Sequence, residues 1–344
     1  MKRLLPLLLV LALLLCACKK TETVGQENTE DAPLGTGPVV ALLGSHELTL
    51  QDFYYYYVDA AQNAAKEENG VAIADYVETA LNNAARDYAL AEAAQSAGFQ
   101  LDADDQAILQ NLETYLNPLS FANTDSDESF GQMMLHDTYG KYATVESYGK
   151  YLERSLIADS YYEYYGENLT FTDVELYGAE GDHTGDDNAK KMVSVRHLLV
   201  KVADTYTEQD WAEALAEAEK IQKAYLAGDK TEESFVKLVQ QYSDDFTTFE
   251  SGGLYTNIHE GSSYVPEFLN WCMDDVRMPG DIEIVKSDYG YNVMYFVEHQ
   301  TQSYREYMLT ENLRGEKCSQ WLQELLAQYP ITKKDMSSID TNQG

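Results

Sequence analysis

The chain has 344 residues, with 58 acidic and 24 basic side chains and a formal net charge of -34. A polyanion of this size repels phosphate backbones, so nucleic-acid-binding functions are excluded. Hydrophobic residues make up 44% of the sequence, an ordinary globular value that excludes wholesale disorder. The length predicts about two domains.

The N-terminus has the pattern of an export signal. The basic pair Lys2-Arg3 precedes an apolar run over 4–15, which is shorter than the roughly 20 residues of a membrane-spanning helix. The run ends in Leu15-Cys16-Ala17-Cys18, which resembles the lipobox of bacterial lipoproteins. The resemblance implies a signal peptide over 1–17 and a lipid anchor on Cys18, at the extracytoplasmic face of the bacterial cell membrane. The alternative is an ordinary signal peptide that ends in cysteines.

Residues 18–38 are polar and predict a flexible tether, and a helical domain over 39–182 follows. Thr49 is placed to cap a helix that begins at Leu50. Apolar residues at steps of three and four predict further helices, which span roughly 73–97, 108–116 and 145–162. A Gly-, Asp- and Asn-rich linker closes this region at 181–188, and because it lacks metal-ligand spacing we predict no metal site there.

After the linker the sequence pattern changes from helical to a mixture of strands and helices. A β-branched strand at 192–200, two amphipathic helices, a short helix near 265–273 and two final strands predict a β-α-α-α-β-β unit over 190–298. Residues 301–330 predict a helix that packs on the N-terminal helices, with a frayed tail after Pro330. The expected fold class is α+β: a mainly helical, chaperone-like domain with an inserted α+β domain.

The usual enzyme signatures do not occur: there is no G-x-S-x-G, P-loop, paired C-x-x-C or H-E-x-x-H motif. A series of motifs in the second domain instead resembles the parvulin-type peptidyl-prolyl isomerases. These motifs are Arg196-His197-Leu198-Leu199-Val200, Phe235, Tyr242-Ser243-Asp244-Asp245, Ser251-Gly252-Gly253, Val265-Pro266-Glu267-Phe268 and Tyr289-Gly290-Tyr291. The flanking helices and the lipobox resemble the PrsA/SurA type of extracytoplasmic foldase, with an N-terminal domain like that of SurA.

The parvulin resemblance implies a site without a cofactor or metal. It places His197, Asp245 and Asn292 in catalytic positions, and an apolar pocket for the proline ring beside them. The pocket residues it implies are Leu254, Tyr264, Phe268 and Tyr289. The family usually has a second histidine where this chain has Asn292, whose amide can still hydrogen-bond His197.

Two functions fit the resemblance, and a third lacks its sequence pattern. The resemblance implies an anchored foldase that isomerises Xaa-Pro bonds in unfolded, newly exported polypeptides and chaperones them. Asn292 favours the alternative, a non-catalytic holdase with a degenerate parvulin domain. A solute-binding lipoprotein would need a two-lobed α/β pattern, which the sequence lacks.

Two residue types leave alternatives open. The 27 tyrosines include runs at 54–57 and 161–165, which we interpret as helix packing or as part of a cradle for unfolded clients. Cys272 and Cys318 are predicted to be buried free thiols, with a disulfide as the alternative.

Overall fold

A computed structural model describes residues 37–66, 73–116, 129–178, 181, 190–203, 205–336 and 339. The predicted signal peptide, Cys18, most of the tether and most of the 181–188 linker lie outside the described residues. The chain divides into two compact units, a helical unit of 1–169 with 314–344 and an α+β unit of 170–313. Within the described ranges, no helix has both the length and the apolar character that crossing a bilayer requires.

The helical unit combines a small antiparallel sheet with a set of packed helices. The sheet has the order β2-β1-β7, from His46–Thr49, Val39–Leu43 and Ile331–Lys333. The helices are α1 (Leu50–Lys66), α2 (Ile73–Ala97), α3 (Ala103–Gln110), α4 (Leu112–Leu116), α5 (Phe130–Tyr139) and α6 (Val145–Glu167). Helix α1 begins where predicted, because the Thr49 hydroxyl accepts a hydrogen bond from the backbone N–H of Asp52 at 3.2 Å.

Tyrosine rings form much of the helical core. All four residues of the run 54–57 are buried. The ring centroid of Tyr55 lies 5.0 Å from those of Tyr139 and Tyr151, so α1 packs through aromatic pairs against α5 and α6. This confirms the packing interpretation for 54–57, and a client cradle built from these four rings is excluded.

Helix α11 (Tyr304–Leu326) carries apolar residues to a second hydrophobic cluster of the helical unit. Trp321, Leu322 and Leu325 pack with Leu90 and other buried residues of α2 and α6. The Trp321 ring also stacks on Tyr165, with 3.7 Å between centroids. Residues 331–333 correct the prediction of a frayed tail after Pro330, because they form β7, which pairs with β1.

The α+β unit is built on an antiparallel sheet of order β4-β3-β6-β5. Its strands are β3 (Val193–Lys201), β4 (Leu254–Ile258), β5 (Ile282–Ser287) and β6 (Gly290–His299). Its helices are α7 (Asp173–Tyr177), α8 (Glu208–Ala227), α9 (Glu232–Tyr242) and α10 (Pro266–Cys272). From β3 onward the order is β-α-α-β-α-β-β, so the predicted order missed β4.

The central strand β3 serves two cores because successive side chains point to opposite faces. Leu198 and Val200 pack with α8 and α9 on one face. Val193 and Val195 pack with α10 on the other. His197 continues this second series, so alternation alone places its imidazole on the face covered by α10. Cys272, in α10, and Cys318 are both buried free thiols, as predicted.

Candidate active site

The site is centred on His197, in the middle of the sheet. This residue lies opposite Met294 of β6 and is only 7% exposed. Both ring nitrogens have side-chain partners: Nε2 is 2.9 Å from Asp245 Oδ2 and Nδ1 is 3.1 Å from Asn292 Oδ1. The structure therefore brings together the three residues that the sequence placed in catalytic positions.

Asp245 is held by donors on both carboxylate oxygens. Oδ1 accepts the backbone N–H of Thr247 at 3.0 Å, and Oδ2 accepts the Thr248 hydroxyl at 2.7 Å. The hydroxyl of Tyr255 also lies 3.3 Å from Oδ2. The hydrogen bond from His197, helped by those from Thr247 and Thr248, holds the Asp245 pKa well below its usual range although burial opposes this. The carboxylate is therefore ionised at neutral pH.

The loop that carries Asp245, residues 243–253, is held by backbone geometry and by Arg196. The N–H of His197 donates to the carbonyl of Gly253 at 2.9 Å. Gly253 has a φ of +74°, and a Cβ there would lie 2.2 Å from the His197 carbonyl oxygen, so only glycine fits. The Arg196 guanidinium donates to the carbonyls of Ser251 and Gly252 at 2.5 and 3.0 Å.

A serine that the sequence analysis did not single out fixes the third site residue. Asn292 Nδ2 donates to Ser287 Oγ at 3.0 Å and faces the carbonyl of Val285 at 3.4 Å. These acceptors turn the amide so that its oxygen faces His197 Nδ1. Ser287 is the last residue of β5, whereas the sequence pattern indicated only a turn residue there.

Three aromatic rings pack together beside His197. They belong to Tyr255, Tyr264 and Phe268, and we refer to them as the aromatic slot. The His197 ring centroid lies 5.0 Å from that of Tyr255 and 5.6 Å from that of Phe268, and Tyr264 lies 5.2 Å from Phe268. Phe268 is buried, whereas Tyr264 is 36% exposed, so the slot reaches solvent at Tyr264. Burial, with the charge of Asp245, raises the Tyr255 pKa to about 12, so this hydroxyl stays protonated and donates.

The structure corrects two predicted pocket residues. Leu254 is paired with Arg196 across β3 and β4, so its side chain lies on the face opposite His197. The next residue, Tyr255, takes the predicted place. Tyr289 is 60% exposed in the turn between β5 and β6 and, within the described residues, makes no ring contact with the slot.

Comparison with known proteins agrees with this geometry. The sequence model of the PPIC-type PPIASE domain matches residues 182–300, which include every residue of the site. These residues form a parvulin-type peptidyl-prolyl isomerase domain. A search of curated proteins found no match to the chain.

Solved structures similar to the chain include foldases and chaperones. PrsA from Bacillus subtilis is 17% identical over 89% of this chain and 98% of its own, with a TM-score of 0.40. The foldase protein PrsA from Streptococcus pneumoniae is 17% identical over 82% and 88%, with a TM-score of 0.27. A SurA-like chaperone of Campylobacter jejuni is 13% identical over 86% and 100%, with a TM-score of 0.25. The assignment of the parvulin-type domain rests on the domain match and the site.

Proposed function

We propose that the chain is a membrane-anchored extracytoplasmic foldase. Its parvulin-type domain isomerises Xaa-Pro bonds in exported polypeptides, and its helical unit holds these unfolded chains. Lipidated Cys18 anchors it on the outer side of the cell membrane, as the lipobox pattern suggests. The reaction uses side chains alone, without a cofactor.

One observation supports the isomerase most directly: the His197–Asp245 pair lies against an aromatic slot that opens to solvent. The Nε2–Oδ2 distance is 2.9 Å and the His197 and Phe268 centroids are 5.6 Å apart. An apolar recess of three rings suits the ring of proline, and the adjacent polar groups are within reach of the preceding peptide bond.

The slot lowers the barrier by binding and by excluding water. Rotation about an Xaa-Pro bond is slow because amide resonance must be broken, at about 18–20 kcal/mol. Water stabilises the planar amide, whose carbonyl oxygen carries the larger partial charge, more than the twisted form. Transfer of this amide from water to the rings of Tyr255, Tyr264 and Phe268 therefore favours the twisted state.

Asp245 orients His197 and transfers no proton to or from the substrate. An isolated carboxylate would repel the carbonyl oxygen of the amide, but this one is engaged by His197, Thr247, Thr248 and Tyr255. Asn292 Oδ1 faces the other ring nitrogen at 3.1 Å, so the orientation of the His197 imidazole is fixed from both sides.

The test is an assay of the full chain on a proline peptide, in which NMR exchange spectroscopy measures the rate of cis-trans isomerisation. We expect His197→Ala and Phe268→Ala each to lower kcat/KM at least about tenfold, the order of effect of a positioned catalytic group. His299→Ala is the matched control, since it removes an exposed imidazole of the same unit that lies outside the site. Wild-type activity no higher than that of these two variants refutes the isomerase.

The holdase is the second candidate, because Asn292 replaces the histidine that the family usually has. It predicts that the chain suppresses aggregation of an unfolded protein equally well with and without Phe268→Ala, and that no proline peptide is turned over. The anchor is tested separately: Cys18→Ala should move the exported protein from the membrane fraction to the medium or periplasm. Retention in the membrane fraction contradicts the anchor.

A further inference from the structure

Tyr255 joins the two parts of the site. Its ring belongs to the aromatic slot, with its centroid 5.5 Å from that of Tyr264 and 5.9 Å from that of Phe268. Its hydroxyl lies 3.3 Å from Asp245 Oδ2, the same oxygen that faces His197 Nε2. The slot therefore has a polar edge, where the Tyr255 hydroxyl meets the carboxylate.

The Tyr255 hydroxyl is the most weakly held of the three groups that approach Asp245 Oδ2. The Thr248 hydroxyl lies at 2.7 Å and His197 Nε2 at 2.9 Å, against 3.3 Å for Tyr255. Hydrogen bonds between two oxygen atoms are usually about 2.7–2.8 Å long, so the Tyr255 contact is a weak one. A phenol hydroxyl also turns about its C–O bond. It can therefore donate to another acceptor while Asp245 keeps its two closer partners.

The chemistry of proline indicates which substrate atom this hydroxyl meets. The amide nitrogen of an Xaa-Pro bond is a member of the pyrrolidine ring, and the other ring atoms are carbons. In the aromatic slot the ring carbons pack against aromatic carbon. The nitrogen carries the polar carbonyl group, which is unfavourable to bury without a hydrogen-bond partner, so this side of the ring lies at the polar edge. The polar edge is where the Tyr255 hydroxyl lies.

A hydrogen-bond donor at this nitrogen acts on rotation and not on binding. In the planar amide the nitrogen lone pair is delocalised into the carbonyl group, so the nitrogen does not accept a hydrogen bond. Rotation breaks the resonance and returns the lone pair to the nitrogen, which then becomes an acceptor. A hydrogen bond that forms only in the twisted state raises kcat, whereas one that forms in both states lowers KM.

We infer that Tyr255 is a further catalytic residue, whose hydroxyl donates a hydrogen bond to the proline nitrogen as the amide twists. This inference rests on the proposed isomerase function. No proton is transferred, because the hydroxyl leaves Asp245 for the substrate nitrogen and returns when the amide is planar again. The carboxylate keeps its hydrogen bonds to His197, Thr247 and Thr248 throughout.

Tyr255→Phe tests the inference, because it removes the hydroxyl and keeps the ring. The full chain is assayed on a proline peptide by NMR exchange spectroscopy, and kcat and KM are determined separately. Tyr255→Phe should lower kcat about three- to tenfold, the range for loss of one neutral hydrogen bond, and leave KM within about twofold of the wild type. Tyr289→Phe is the matched control: it removes an exposed hydroxyl of the same unit, outside the slot, and should change neither constant.

The ¹⁵N chemical shifts of the His197 ring distinguish a direct role from a positioning role. A lower kcat in Tyr255→Phe with the His197 shifts of the wild type supports the inference, because the pairing of His197 with Asp245 is then intact. An unchanged kcat, a rise in KM alone, or His197 shifts that move to those of Asp245→Asn overturns the inference and leaves the isomerase standing. A wild type that turns over no proline peptide refutes the isomerase, and this role with it.

Discussion

Substitution of Gly253 tests how the fold positions the site. Gly253→Ala places a Cβ 2.2 Å from the carbonyl oxygen of His197, at a φ of +74°. Gly280 is a matched position in the same unit, with a φ of +93° and no heavy atom within 4 Å of an added Cβ. The two substitutions share the conformational penalty, so their difference measures the clash beside His197.

The expected magnitudes follow from these geometries. A positive φ makes alanine less stable than glycine by about 1–2 kcal/mol at either position. At Gly253 the two atoms must also separate by about 1 Å to reach ordinary contact. This movement breaks the 2.9 Å hydrogen bond between the His197 N–H and the Gly253 carbonyl. Loss of a buried hydrogen bond adds about 1–3 kcal/mol, so Gly253→Ala should lower the free energy of unfolding by about 2–5 kcal/mol.

Urea unfolding followed by tryptophan fluorescence gives the measurement. Trp211 and Trp271 lie in the α+β unit and Trp321 in the helical unit, so a Trp321→Phe background reports on the α+β unit alone. Gly253→Ala should also lower kcat/KM, because it displaces His197 from Asp245, whereas Gly280→Ala should not. Equal destabilisation by the two substitutions would refute the reasoning.

Three further predictions concern single side chains. Burial raises the Asp87 pKa from 3.8 to about 6, so the ionised side chain destabilises the fold above pH 6. Asp87→Asn should therefore raise the free energy of unfolding above pH 6 by at most about 3 kcal/mol and change it little near pH 4. Urea unfolding at both pH values is the measurement, and an equal gain at the two contradicts the prediction. Tyr255→Ala should lower kcat/KM at least about tenfold and Leu254→Ala less than about twofold, because only the Tyr255 side chain faces His197. A larger loss in Leu254→Ala than in Tyr255→Ala, in the peptide assay, would contradict this assignment of the two side chains. Burial raises the Cys272 pKa to about 12, so a thiol reagent should label this residue only in denaturant, and peptide mapping of labelled native protein checks it.

Local patterns predicted the long helices well and the short strands poorly. The 3.6-residue periodicity and the capping residues Thr49 and Thr207 determine where α1 and α8 begin. Strand β4 has no such signal, since it is short, half-buried and interrupted by Asn257 at a φ of +58°. Strand β7 exists only because β1 offers it a partner nearly three hundred residues away, which no local pattern reveals.

At the candidate site, the sequence predicted most of the residues that meet but missed the exact position of one. The motifs around His197, Asp245, Asn292 and Phe268 were sufficient to anticipate that these side chains meet. The slot residue after Gly253 was missed by one position: the resemblance implied Leu254, whereas Tyr255 faces His197. Successive side chains of a strand point to opposite faces of the sheet, so an error of one residue changes the face. The prediction therefore chose Leu254, on the face opposite His197, in place of Tyr255, whose ring contacts His197.

The replacement of the usual second histidine is the feature that divides foldase from holdase, and its surroundings weaken the case for lost activity. Asn292 is buried, keeps a 3.1 Å hydrogen bond to His197, and is itself oriented by Ser287. The fixed amide orients the imidazole from this side, which is what the proposed isomerase requires of this position. Turnover then depends on the access of proline to the slot. There the exposed edge of Tyr264 leaves apolar surface for a substrate, which a site retained only for its fold would not need.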